Sequence, residues 1–127
     1  MATRTSVVSR TPEQVLDDHR AALAAGRVEL DVQLNYAPGA VVISDHGVDT
    51  GRDAIRRALE GALALLGGAV PEVKSQVVIP VAGGTACMAR VLFSVETPRM
   101  SVHGVDTYLI QDGQIHAQTA HGSPSLK

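Results

Sequence analysis

The hydrophobic period changes once along this chain, near Glu72, and that change restricts the available folds more than any other feature. Before Glu72 the apolar residues recur at helical spacing; after it they alternate. "EVKSQVVIPV", "TACMARVLFSVE", "MSVHGVDTYLI" and "GQIHAQTAH" read as long strands separated by Gly83-Gly84, Thr97-Pro98-Arg99 and Asp112-Gly113. A parallel return needs a long crossover, so gaps this short imply antiparallel hairpins. Strands of ten residues span roughly 33 Å and must twist and bend, with Pro80 and Gly104 as expected bulges or kinks.

The first half supplies helices. In "TPEQ", Thr11 can cap, Pro12 suits the first helical position, and Gln14 completes a capping box. Val15, His19, Ala22 and Leu23 follow on one face, and Gly26 ends the helix. A second, short helix is expected from Val28 to about Asn35, then a turn at Pro38-Gly39 and a strand over "AVVIS". "TGRDAIRRALEGALALLGG" is the clearest helix, with Thr50 and Asp53 as a capping pair and Gly67-Gly68 as its stop. Helices first and strands last make an α+β domain, with three N-terminal helices packed in the concave face of a curved, mostly antiparallel sheet. The expected boundaries are a flexible arm over residues 1–10, one domain over 11–122 and a tail over 123–127.

An aspartate and a histidine stand among the alternating residues. With Asp112-Gly113 as a two-residue turn, Tyr108 faces Ala117, Asp106 faces Thr119 and Gly104 faces His121. One face then carries Val102, Asp106, Tyr108, Ile110, Ile115, Ala117, Thr119 and His121. That face is mostly apolar or small, so it is expected against the helices. His121 is then diagonal to Asp106, roughly 7–8 Å away between backbones. Burial in a hollow raises a carboxylate pKa and makes Asp106 a candidate for chemistry. The convex face is left with Met88, Leu92, Val105 and Leu109, a surface for a homodimer.

Other functions are disfavoured. The net charge is −2, there is no basic run, and Tyr36, Phe93 and Tyr108 are the only aromatic residues, so nucleic acid is not an expected partner. "ALALLGGAV" is too short to span a bilayer, and the single Cys87 suits a reducing, cytoplasmic setting. "GGAV" and "AGGTA" lack phosphate-loop spacing, no His-x-His or His-x-x-x-His pair is present, and no serine sits in a nucleophile elbow. Neither a cofactor nor a metal is expected. "SDHGVDTGRD" reads as a solvated hairpin.

"LAAGRVELDVQLNYAPGAVVISDHGVDTGRDAIRRAL", followed late by "GVDTYLIQDGQI", resembles the SnoaL-like branch of the nuclear transport factor two-like superfamily. The resemblance runs from Thr11 to His121. It implies three helices in the hollow of a curved sheet and a homodimer through the sheet's outer face. It does not imply one function, because the scaffold hosts isomerases, cyclases, hydrolases, subunits and binders. Asp106 falls where ketosteroid isomerases, to which the resemblance extends, keep a neutral aspartic acid. Their oxyanion-hole tyrosine falls on His19 and their base on Ser44, with Asp45 one residue later. The Asp-Arg-Asp set of limonene-epoxide-hydrolase relatives finds only Arg90 inside a strand. SnoaL-type cyclases use an aspartate with polar helpers, which Asp106 and His121 resemble.

The expectation is a cofactor-independent isomerase or cyclase acting by acid–base chemistry on a small, apolar carbonyl or enol compound. Asp106, His121 and His19 are its candidate catalytic residues, and Tyr108, Ser44, Tyr36 and Phe93 its candidate substrate contacts. The alternative is a ligand-binding or dimeric scaffold protein using the same hollow.

Overall fold

The computed structural model describes residues 10–127, so all of the expected arm over residues 1–10 except Arg10 lies outside the described residues. The element order is α1 (Pro12–Ala24), α2 (Val28–Asn35), β1 (Tyr36–Ser44), β2 (Gly47–Thr50), α3 (Arg52–Leu66), β3 (Glu72–Val81), β4 (Ala86–Glu96), β5 (Met100–Gln111) and β6 (Gln114–Leu126). Three helices and one mixed, mostly antiparallel sheet give the α+β class expected from the change of period.

The sheet order is β2-β1-β6-β5-β4-β3. Strands β3 to β6 form successive antiparallel hairpins, whereas β1 lies parallel to β6. β6 runs on to Leu126, pairing with β5 as far as Met100, so residues 123–126 extend the strand and are not a separate tail. Ladder hydrogen bonds to β5 outweigh the weak strand propensity of Gly-Ser-Pro-Ser there.

Local chemistry explains most boundaries. The Thr11 side chain accepts from the Gln14 N–H at 3.1 Å, and the Gln14 side chain accepts from the Thr11 N–H at 2.7 Å. Two free helix-end donors are thereby satisfied reciprocally. α3 differs from the expected capping pair. Thr50 is the last residue of β2 and pairs with Val41, so Gly51 takes the cap position at φ 87° without a side-chain bond. Pro38-Gly39 also differ: they lie inside β1, at an irregularity where its pairing with β6 shifts between Tyr36 and Val41. Pro80 lies in the edge strand β3 without a register shift, and Gly104 pairs regularly with Phe93 and Gly122. An edge strand tolerates the missing proline N–H.

The β5–β6 hairpin determines the site. Asp112 and Gly113 both have positive φ, 53° and 69°, as a two-residue turn that follows strand twist requires. Ile110 still faces Ile115, but Leu109 faces Ala117, which leaves His116 as an extra residue. Beyond this bulge Tyr108 faces Gln118, Asp106 faces Ala120 and Val105 faces His121. The side-chain period is two, so the offset reverses faces. Ala117, Thr119 and His121, expected inward, share the face of Leu109, Thr107 and Val105. Gln118 and Ala120 join Asp106 and Tyr108.

The helix-facing side of the sheet holds the core. Val15, Leu16, Val32, Tyr36, Ile55, Val91, Tyr108, Ile110 and Ile115 are all buried in it. Arg10 ties the helices to the hairpin end. Its guanidinium donates to Asp18, Asn35, the Leu34 carbonyl and the Gly113 carbonyl at 2.7 to 3.0 Å. Along α3 only Ile55 is fully buried, and Leu65 is 70 % exposed, so much of its apolar face borders open space.

Candidate active site

That open space is a cavity of about 640 Å³ between α3 and the sheet. Ala58, Leu59, Ala62 and Leu65 from α3 form one wall, and Phe93 on β4 and Val42 on β1 lie on the sheet side. Asp106 and Gln118 bring polar atoms to this lining, and Asp45, His46, Asp49, Arg57 and His121 add charged or titratable groups. An apolar cavity with a few convergent polar groups is the usual form of a small-molecule site.

Asp106 has the most altered chemistry. Burial pushes its carboxyl up to about 6 from the usual carboxylate range, against the opposing pull of the Tyr108 hydrogen bond and the nearby His19. The Tyr108 hydroxyl donates to Asp106 Oδ2 at 3.2 Å. No lysine or arginine pairs with this carboxylate among the described residues. A pKa near 6 lets the group gain and lose a proton close to neutrality.

Behind the lining lies a second polar layer. The Tyr36 hydroxyl donates to Gln118 Oε1. Burial, then neighbouring acidic charge, drives both tyrosine pKa values well up, so both phenols stay protonated donors. The His19 ring stands edge-on to both, with centroids 5.7 Å from Tyr36 and 5.9 Å from Tyr108. His19 Nδ1 lies 2.9 Å from both oxygens of the fully buried Asp31, which also accepts from Asn35 Nδ2 at 2.7 Å. His19 is thus packed behind the tyrosines and is not among the residues lining the cavity.

The rim has its own histidine–aspartate pair. His121 Nδ1 lies 2.7 Å from Asp45 Oδ1, and the Gly122 N–H donates to Asp45 Oδ2 at 3.2 Å. The His121 bond, then the Gly122 N–H, holds the Asp45 carboxyl below its usual range. Asp45 lies in the β1–β2 turn, one residue beyond Ser44, and both reach the cavity lining. Ser44 Oγ accepts from the His46 N–H at 3.2 Å.

The expected residues therefore separate by depth. Asp106, Ser44, Phe93 and His121 line the cavity; Tyr36, Tyr108 and His19 support it from behind. Gln118, Asp31 and Asn35 were not foreseen. Gln118 is turned inward by the bulge, and the alternating pattern of its strand neighbours carries no warning of it. Asp31 meets His19 only because α1 and α2 pack together. Among the described residues no cluster of three or more His, Cys, Asp or Glu is arranged to hold a metal, and no helix is long and apolar enough to cross a membrane.

No family model matches the chain, and no curated protein does. Solved structures do. A provisionally assigned scytalone dehydratase from Novosphingobium aromaticivorans superposes with a TM-score of 0.72 at 19% identity, covering 89% of this chain and 83% of that one. A provisionally assigned polyketide cyclase from Sinorhizobium meliloti gives 0.64 at 22% identity, covering 87% and 94%. An NTF-2 like protein of unknown function from Shewanella oneidensis gives 0.70 at 16% identity, covering 86% and 94%. The chain has the nuclear transport factor two-like fold. Within that fold its cavity combines a buried acid, a buried amide and a rim histidine.

Proposed function

We propose that this nuclear transport factor two-like protein is a cofactor-independent isomerase or cyclase acting on a small apolar carbonyl or enol compound. One observation carries the reading: Asp106 lines an apolar cavity of about 640 Å³, is desolvated enough to titrate near 6, and has a single hydrogen-bond donor behind it. The named neighbours with cyclase and dehydratase assignments agree with this class of chemistry.

In this mechanism the apolar body of the substrate packs on α3 and Phe93, with its carbonyl oxygen at Asp106. Asp106 donates a hydrogen bond or its proton to that oxygen. The His121 imidazole, with Nδ1 held by Asp45, accepts a proton from the adjacent carbon through Nε2. The electron pair of the broken C–H bond forms the enol. Return of the proton to a different carbon completes an isomerization, and attack of the enol carbon on a second carbonyl completes a cyclization. His19 acts only through the tyrosines it supports.

The test is hydrogen–deuterium exchange at the α-carbon of 2-tetralone, a fused-ring ketone, followed by NMR in deuterated buffer. Wild-type protein should accelerate exchange, and Asp106→Asn should remove about 10²–10⁴ of that acceleration. Saturable binding of the ketone with no exchange would support the second reading, a non-catalytic ligand-binding protein. That reading is favoured by Ser44, an alcohol, occupying the strand position where isomerases of this fold carry their base.

A further inference from the structure

Gln118 is 5 % exposed, lines the cavity, and has its carbonyl oxygen occupied by the Tyr36 hydroxyl. The assignment of that oxygen follows from donor counting. A buried phenol must place its proton on an acceptor, and Tyr36 has no other acceptor among the described residues. The amide NH₂ is consequently the free end. It has no hydrogen-bond partner among the described residues, yet it is not among the sealed, unsatisfied atoms. An unpartnered buried donor is costly unless something else satisfies it.

Asp106 is arranged in the same way. Its Oδ2 accepts from Tyr108, its Oδ1 has no hydrogen-bond partner among the described residues, and the residue lines the cavity. Asp106 faces Ala120 and Tyr108 faces Gln118, so the two cavity residues are diagonal neighbours on adjacent strands, about 7–8 Å apart between backbones. Side chains of these lengths can converge on one atom across that gap. We infer that Gln118 is a further catalytic residue, its amide N–H joining Asp106 in gripping a single substrate oxygen as negative charge builds there. Donors fixed in advance by a second layer stabilise such charge without reorganising during the reaction. Tyr36 is the positioning residue, because its hydroxyl stops the amide from rotating. This inference rests on the acid–base reading of Asp106 and adds the second donor that reading lacks.

The test uses 4-nitrophenol, whose ionised form is coloured and bears its charge on one oxygen attached to a flat ring. Titrations near pH 6 give its affinity, and absorbance gives the apparent pKa of the bound phenol. Wild-type protein should bind the phenolate and lower that pKa. Gln118→Leu should weaken binding about tenfold. Tyr36→Phe should weaken it less but raise the bound pKa, a signature that loss of packing alone would not produce. Circular dichroism checks each variant's fold; if Gln118→Leu does not fold, the isosteric Gln118→Glu replaces it and should abolish phenolate binding by repulsion. Undiminished affinity in the folded Gln118 variant, with loss in Asp106→Ala, would overturn the inference and leave the acid–base reading intact. Failure of wild-type protein to bind, or indifference to Asp106→Ala, would overturn both.

Discussion

Tyr108 donates its phenolic hydrogen to Asp106 from two positions along the same strand, so both side chains emerge on one face of β5. The bond fixes the carboxyl's direction, while burial of that carboxyl sets its proton affinity. Orientation and acidity thus have separate causes and can be altered separately.

The pH dependence of stability follows. The folded carboxyl titrates near 6, above the 3.8 of an ordinary solvated aspartate, so the folded state binds more protons between those values. Stability should therefore fall as pH rises from about 4 to 6 and level off above, from this group alone. Asp106→Asn should match wild type at pH 4 and exceed it by about 2 kcal/mol at pH 8, while losing exchange activity. Urea denaturation at the two pH values checks this; equal gains at both would contradict a buried, unpaired carboxylate.

Breaking the pair behind the site should cost far more. His19 and Asp31 are both buried and share a hydrogen bond. Asp31→Leu strands the imidazole and the Asn35 amide, with an expected loss of about 3–5 kcal/mol. Adding His19→Leu should restore part of it, because both polar partners are then gone. Denaturant midpoints of the two single variants and the double variant measure the coupling.

Gly104 bears on cavity shape. A Cβ at this position would lie 2.2 Å from the Phe93 ring, which covers the glycine across the strand pair. Phe93 lines the cavity, so it has space to swing into. Gly104→Ala should cost only about 1 kcal/mol, the low end of overpacking, yet weaken 4-nitrophenol binding by filling the cavity. Gly104→Ala with Phe93→Leu should recover binding.

The outer sheet face supports a proposed homodimer. Met88 is 48 % exposed, with Val77, Ile79 and Ile43 also open to solvent, and Leu92, Val105 and Leu109 half-buried among them. Such a patch is typical of an interface. Sedimentation should show a dimer at micromolar concentration, and Leu109→Arg with Met88→Glu should yield a folded monomer. A wild-type monomer would contradict it.

Much of this arrangement is legible without coordinates. The Thr11–Gln14 cap, the Gly67 stop, the hairpin order and the inward face of Asp106 and Tyr108 all follow from local rules. What escapes is non-local. The His116 bulge depends on how two strands fit, and no residue type announces it. The parallel seat of β1 beside β6 joins segments far apart in the chain. Gln118 was hidden because period-two counting carried from the turn assigns it outward. His121 was misplaced for the same reason, although Asp45 still brings it to the rim.

The extra residue at His116 also has an evolutionary meaning. Deleting His116 itself would close the bulge and leave Gln118 facing Tyr108, whereas a β6 that kept every residue but lost the bulge would set Ala117 there and send Gln118 to the outside. Descendants of one ancestral scaffold could acquire different reactivities through a single bulge formed or smoothed away in a hairpin, with every helix left as it was.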